Sequence, residues 1–289
     1  GEIEYFIGNA EPAVVVCSPA NFGWVSKIAF QAGTRHVFTL GDDRTGSLLE
    51  RAAHHSDRHQ AATKQADDLA AILYTSGTTG RSKGAMLTHG NMLSNARVLK
   101  DYWGWIPGDV LIHALPIFHV HGLFVALHGA LINGSRMIWL NKFDPKRVVA
   151  RLPEATVFMG VPTLYTRMLA EPALTREAAR NMRLFISGSA PLLIETFNDW
   201  RERTGHTILE RYGMSETVML TSNPYRAEEG ARRGGTVGFP LPGVGLRILG
   251  DDGREVPRGE IGGIQVSGPN VFKGYWRMPE KTKEEFTAD

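Results

Sequence analysis

Between Thr75 and Lys83 the chain reads TSGTTGRSK. This gathers hydroxyls on Thr75, Ser76, Thr78 and Thr79, glycines at Gly77 and Gly80, and the Lys83 ammonium, with Gly84 directly after. Glycine tolerates positive φ and lets a ligand approach the backbone, and hydroxyls, bare amides and an ammonium are the donors that clustered anionic oxygens need. The chemistry this suits is the gripping of a triphosphate. A Walker loop is excluded, because five positions after Gly77, where that motif has its second glycine, stands Ser82. By composition alone the same residues make an ordinary surface turn.

Other stretches carry chemistry too. ERYGMSE (210–216) offers a phenol, a hydroxyl and two carboxylates; by itself it also reads as a strand end or a helix start with Glu216 in the first turn. FISGSAPL (185–192) ends an apolar run in the small residues Gly188, Ser189 and Ala190, and PIFHVHGL (116–123) holds His119 and His121. Arg167 and Arg211 are cations near these motifs, each open to the plainer reading of a surface ion pair or a snorkelling side chain. His54, His55 and His59 fall in a polar, irregular stretch and read as a solvated loop rather than a metal site.

Positioning these groups requires a scaffold, and the chain spells one out. AVVVCS (13–18), HVFTLG (36–41), DVLIHAL (109–115), RMIWL (136–140), ATVFMG (155–160) and MRLFISG (182–188) read as buried strands, and DLAAILYT places another directly before the hydroxyl-rich loop. Segments of helical period such as NMLSNARVLKDYW (91–103) and PTLYTRMLAE (162–171) lie between them, as right-handed crossovers over a parallel sheet would. Residues 44–67 are polar and read as a long or partly helical connection. After Tyr225 the texture changes to short alternating strands punctuated by Gly, Pro and Asp, which predicts an antiparallel or barrel-like lobe. The expected organisation is α/β, with residues 1–225 as its central part and 226–289 as a β-rich lobe.

With 289 residues and 43% hydrophobic content the chain can bury a sizeable core. Its formal charge of +2 is scattered, with no basic stripe for nucleic acid, and the longest apolar stretch, GLFVALHGALI, is too short to span a bilayer. The single cysteine, Cys17, cannot form an internal disulfide and fits a reducing, cytosolic setting. Composition leaves the oligomeric state open.

YTSGTTGRSKGAMLTHGN (74–91) resembles the AMP-binding signature of the adenylate-forming superfamily, which includes acyl-CoA synthetases, luciferases and carrier-protein adenylation domains. PIFHVHGL, VPTLYTRML, FISGSAPL, ERYGMSE and GEIGGIQVSGPNVFKGYW follow in that superfamily's order. The resemblance implies layered, doubly wound parallel sheets with the start of a distorted antiparallel β-barrel. It implies a reaction in which a carboxylate attacks the α-phosphate of MgATP and a thiol, that of coenzyme A, then displaces AMP. It assigns Thr75 to Gly80 and Lys83 to the ATP phosphates and Gly188, Ser189, Ala190, Glu210, Tyr212, Gly213, Met214 and Ser215 to the nucleotide. Glu216 and Thr75 fall to Mg²⁺, and His119, Lys83, Ser215 and Glu216 to catalysis. Ser215 stands where most relatives have Thr. Relatives continue past the position of Asp289 into a ribose-binding Asp and a small C-terminal domain with the adenylation lysine. Both ends of the chain therefore read as cut, and the segment alone is expected to be impaired.

Acid specificity turns on Arg211, where many acyl-CoA synthetases have Gly. An apolar acyl chain would not repay a buried guanidinium there. With Arg167, which the resemblance places at the same pocket, it suggests a second carboxylate on the acid, and these motifs together resemble the malonate-activating members of the superfamily. The expected substrate is malonate, with methylmalonate as a possible second and His121 and Met219 lining the acyl site. A monocarboxylate-activating synthetase, an amino-acid adenylation domain with Asp144 in an unusual setting, and a non-catalytic nucleotide-binding remnant remain open.

Overall fold

The computed structural model describes residues 1–75 and 81–288. They form two compact units, Gly1–Lys64 and Gln65–Asp289. In the first, β1 (Val14–Cys17) and β2 (His36–Thr39) run parallel, accompanied by α1 (Glu2–Ala10), α2 (Phe22–Gln31) and α3 (Ser47–Ala52). Its core is Ile7, Val25 and Ala29, with Val15, Cys17 and Val37 packed against them. The expectation of buried strands is only half met here. Strand alternation turns Val15 and Cys17 inward and Val14 and Val16 outward, where each is 46% exposed. The polar connection is partly helical, as expected, through α3.

The second unit opens with β3 (Leu69–Thr75) and β4 (Lys83–Thr88), an antiparallel pair that sets Thr75 opposite Lys83. α4 (His89–Tyr102) follows at once because Thr88 caps it: the Thr88 hydroxyl accepts from the Asn91 amide while the Asn91 side chain accepts from the Thr88 amide. Next come the parallel strands β5 (Val110–His113), β6 (Arg136–Trp139), β7 (Val157–Gly160), β8 (Leu184–Ser187) and β9 (Leu209–Met214). β10 (Val218–Ser222) and β11 (Phe239–Pro240) extend the sheet antiparallel, and the order across it is β11-β10-β9-β8-β7-β5-β6. The chain therefore steps from β5 out to β6, returns to the other side of β5 for β7, and continues outward through β8 and β9. Winding reverses between β5 and β7, and a doubly wound sheet leaves its crevice at the carboxyl ends of the strands at such a reversal.

Alternation along the strands gives the sheet two apolar faces. Leu111, Val157, Met159, Leu184, Ile186 and Leu209 pack with Leu99 of α4, with Trp103 at its C-terminal cap and with residues of a π-helical segment, His121–Leu127, that continues as α5 (His128–Asn133). On the opposite face Ile112, Phe158 and Phe185 pack with α6 (Pro145–Arg151), α7 (Pro162–Leu169) and α8 (Ile194–Thr204). There Tyr165 and Phe185 meet Trp200 edge-on, each at 4.9 Å between ring centroids. β12 (Gly245–Leu249) and β13 (Gly263–Ser267) form a separate antiparallel pair, and α9 (Pro279–Glu285) follows. The change of texture after Tyr225 thus corresponds to antiparallel pairing, although β11 returns to the main sheet. A division at 225 into a central part and a lobe remains a proposal. Among the described residues, no helix is long and apolar enough to cross a membrane.

Candidate active site

The crevice that the topology calls for is present. A cavity of about 480 Å³ is walled by segments that follow the carboxyl ends of four parallel strands: 114–122 after β5, Asn141–Phe143 after β6, Val161 and Leu164 after β7, and Ser189 after β8. His119 and His121 both line it. The His121 amide donates to His119 Nδ1 at 3.2 Å, which makes that nitrogen an acceptor and leaves Nε2 of the neutral ring to carry the proton. Partial burial and the charge of Arg211 hold His119 below the usual histidine range. His121 is fully buried, with Nδ1 3.4 Å from the Ser189 hydroxyl and Nε2 unpartnered among the described residues. Burial, then the Arg211 charge, hold it well below that range. Ser189 adopts a φ of 68°, an uncommon conformation for a residue with a side chain, and it presents the hydroxyl toward the cavity wall.

Arg211 lies behind that wall. It is 2% exposed, and its Nε and Nη2 have no hydrogen-bond partner among the described residues. Burial lowers the guanidinium to about 9, with the Tyr165 phenol acting in the opposite direction, so it stays charged at neutral pH. It fits only because residue 188 is glycine: a Cβ there would meet the guanidinium at 2.5 Å. Arg167 is placed differently. It is exposed on α7, its guanidinium 4.8 Å over the ring of Phe143 at the cavity lip, so the two arginines do not form one buried pair. Met219, expected at the acyl site, is fully buried in the core cluster with its methyl close to Gly213, and it is not among the residues that wall the cavity.

A second group gathers at the turn from β9 to β10, which carries Ser215 and Glu216. Val218, the first residue of β10 after this turn, has a φ of 56°, a strained value for a β-branched residue. Two buried carboxamides hold the backbone in place: Asn270 donates to the Thr217 and Met219 carbonyls at 2.7 and 3.1 Å, and Asn95 donates to the Met219 carbonyl at 2.8 Å. Glu216 is buried and accepts from the Tyr275 hydroxyl at 2.9 Å. The ring of that same tyrosine lies 4.4 Å below the Lys83 ammonium, which also pairs with Glu285 at 3.3 Å. Lys83 and Glu216, 133 positions apart by subtraction of their numbers, thus share one aromatic partner.

Thr75 stands opposite Lys83 and donates to its carbonyl at 3.4 Å, whereas Ser76, Gly77, Thr78, Thr79 and Gly80 lie outside the described residues. Glu210 is buried and accepts from the Leu192 amide at 2.9 Å, which ties β9 to the segment after Gly188, Ser189 and Ala190; desolvation raises its carboxyl above the usual range. Tyr212 and Gly213 lie within β9, and Met214 ends it, 41% exposed. Asp144 is accounted for as the N-cap of α6, accepting from the Arg147 amide at 2.8 Å. Sequence reading missed Tyr275, although GYW was quoted among the motifs, and His113, whose signal is a histidine at the carboxyl end of an otherwise apolar strand.

A doubly wound sheet with its crevice at the β5/β7 reversal, a Thr/Ser/Gly-rich β3–β4 connection and a carboxylate-bearing β9–β10 turn define an AMP-binding enzyme. The sequence model of that family matches residues 1–276, and the chain belongs to it. It is 38% identical to a malonate–CoA ligase of Arabidopsis thaliana, across 100% of this chain and 50% of that protein. It is 34% identical to the mitochondrial malonate–CoA ligase ACSF3 of Homo sapiens, across 100% of this chain and 55% of that protein. The ATP-bound structure of MatB from Rhodopseudomonas palustris superposes with a TM-score of 0.96 at 57% identity, covering 100% of this chain and 57% of MatB. The chain thus spans about half the length of the relatives it matches.

Proposed function

We propose that the chain is the nucleotide- and acid-binding part of an ATP-dependent acid–thiol ligase that activates malonate, with methylmalonate as a second substrate, and passes it to coenzyme A. In the first step a carboxylate oxygen of the acid bonds to the α-phosphorus of ATP as the bond to pyrophosphate breaks. In the second, the thiol sulfur bonds to the acyl carbon and AMP leaves. Lys83 offsets phosphate charge, and Tyr212 and the Gly188–Ala190 turn receive the nucleotide. The Glu216 carboxylate and Thr75 hydroxyl are hard oxygen donors that fit Mg²⁺, with the remaining coordination left to phosphates and water. When bound, Mg²⁺ neutralises charge on the phosphates. Neutral His119 donates from Nε2, where it can hold the reacting carboxylate.

The observation that carries malonate over a monocarboxylic acid is the buried guanidinium of Arg211, near His121, with no hydrogen-bond partner for its Nε and Nη2 among the described residues. A second carboxylate supplies the acceptor oxygens that it lacks, in charge-assisted hydrogen bonds that the planar guanidinium can make in pairs. The helix-capping role of Asp144 weighs against an amino-acid substrate. The test is kcat/KM for malonate and butyrate in the full-length protein. A site built on such a cation rejects an acid without the second carboxylate by about 10⁴-fold. Arg211→Gly is expected to remove most of that margin by lowering malonate and raising butyrate. Exposed Arg167→Ala is expected to act weakly and in a salt-dependent way. Equal use of the two acids by the wild type replaces this reading with a short-chain monocarboxylate ligase.

A further inference from the structure

More than half of the cavity wall comes from one loop, 114–122, which holds both His119 and His121. A loop of this length needs something to fix its ends. Its first turn leaves β5 directly after His113, and its last residue, Gly122, lies inside the π-helical segment. π-Helical turns are rare and cluster at functional sites, since their backbone register departs from the α-helical pattern.

A single side chain spans the ends of this loop. His113 is 1% exposed, and its Nε2 lies 2.9 Å from the Gly122 carbonyl. A carbonyl only accepts, so Nε2 carries the proton and donates. Nδ1 is then an acceptor, and it has no partner among the described residues. The ring plane is fixed separately: His113 and Trp139 are register partners on β5 and β6, and their rings stack at 4.3 Å and 12°. Backbone contact tightens the same closure, since a Cβ on Gly122 would meet the Pro116 carbonyl oxygen at 2.2 Å.

Resting on the acid-pocket reading above, we propose that His113 is a positioning residue that closes the 114–122 loop onto the π-turn and so sets where His119 and His121 meet the acid. It touches no reacting atom. Its effect should fall on the acid and spare ATP.

The test compares His113→Gln, His113→Phe and His113→Asn in the full-length protein. Gln carries an amide near the position of Nε2, Asn only near that of Nδ1, and Phe keeps a ring against Trp139 but donates nothing. Loss of this buried hydrogen bond is expected to raise the malonate KM about tenfold in the Phe variant with the ATP KM unchanged, while Gln stays within about threefold of wild type. If the Phe variant does not accumulate folded, Asn takes its place with the same expectation. A lowered melting temperature with both KM values unchanged overturns the proposal and leaves a purely structural histidine, and Gln as impaired as Phe or Asn overturns it as well. An error in the malonate reading would be visible in the wild type, whereas this inference is read from variant-to-wild-type ratios for whichever acid the wild type prefers.

Discussion

At Arg211 a guanidinium is stripped of water with no carboxylate to pair with among the described residues, and its charge reaches His119 and His121. The arginine stays charged, while burial first and the arginine's charge second hold the imidazoles neutral. A dianion in the cavity offsets the arginine's charge and so raises the histidine pKa values, with the effect of burial remaining. Malonate binding near pH 6.5 is thus expected to take up protons, seen as a calorimetric binding enthalpy that varies with the ionisation enthalpy of the buffer. An enthalpy independent of buffer would mean that the imidazoles do not feel the bound acid.

At the scale of elements, the β9–β10 turn shows how backbone geometry presents a carboxylate. Gly213 faces Val218 so closely that a Cβ would lie 1.9 Å from the Val218 carbonyl oxygen, and Val218 itself has positive φ. The Val218 carbonyl has little room to retreat, because Asn270 and Asn95 fasten the flanking Thr217 and Met219 carbonyls. Gly213→Ala is expected to cost about 2–4 kcal/mol. It should also displace Glu216 and weaken MgATP binding, measured by urea denaturation and by calorimetric titration of MgATP. A variant as stable as wild type would show that the turn relaxes freely.

Across the whole second unit, one buried carboxylate joins several connections of the sheet. Asp109, 1% exposed at the start of β5, accepts from Arg183 Nε at 2.8 Å before β8, from the Thr156 hydroxyl at 2.7 Å before β7, and from the Ile106 amide at 2.9 Å. Burial raises its carboxyl, but the donors led by Arg183 outweigh that, and the net shift is downward. A depressed carboxylate stabilises the fold fully above the ordinary carboxylate range and loses that contribution as pH falls below that range and through the carboxyl's own lowered value. Asp109→Asn leaves Arg183 without its charge partner and is expected to cost about 3 kcal/mol at pH 7. The loss should shrink toward pH 3, where the wild type gives up the same contribution. Denaturant midpoints for both proteins at pH 7 and pH 3 decide it, and a gap that does not narrow would assign the effect to packing.

Much of this was written in local patterns. Apolar runs such as VLIH, VFMG and LFIS encode buried strands because a sheet covered on both faces needs continuous apolar side chains, and Thr88, Pro162 and Gly205 punctuate helices by local chemistry alone. The position of Arg211 within ERYGMSE was equally legible, since its charge is a property of the residue. Tertiary structure alone decided which cations share a site: α7 carries Arg167 to an exposed stack on Phe143, while Gly188 admits Arg211 into the interior. It also decided that Met219 faces the core, because a strand's two faces become inside and outside only when neighbours pack on them. The same holds for His113, Tyr275 and the two clamping asparagines. Their partners lie from 9 to 124 positions away along the chain, so pairing between them follows from strand order and helix packing and has no local signature.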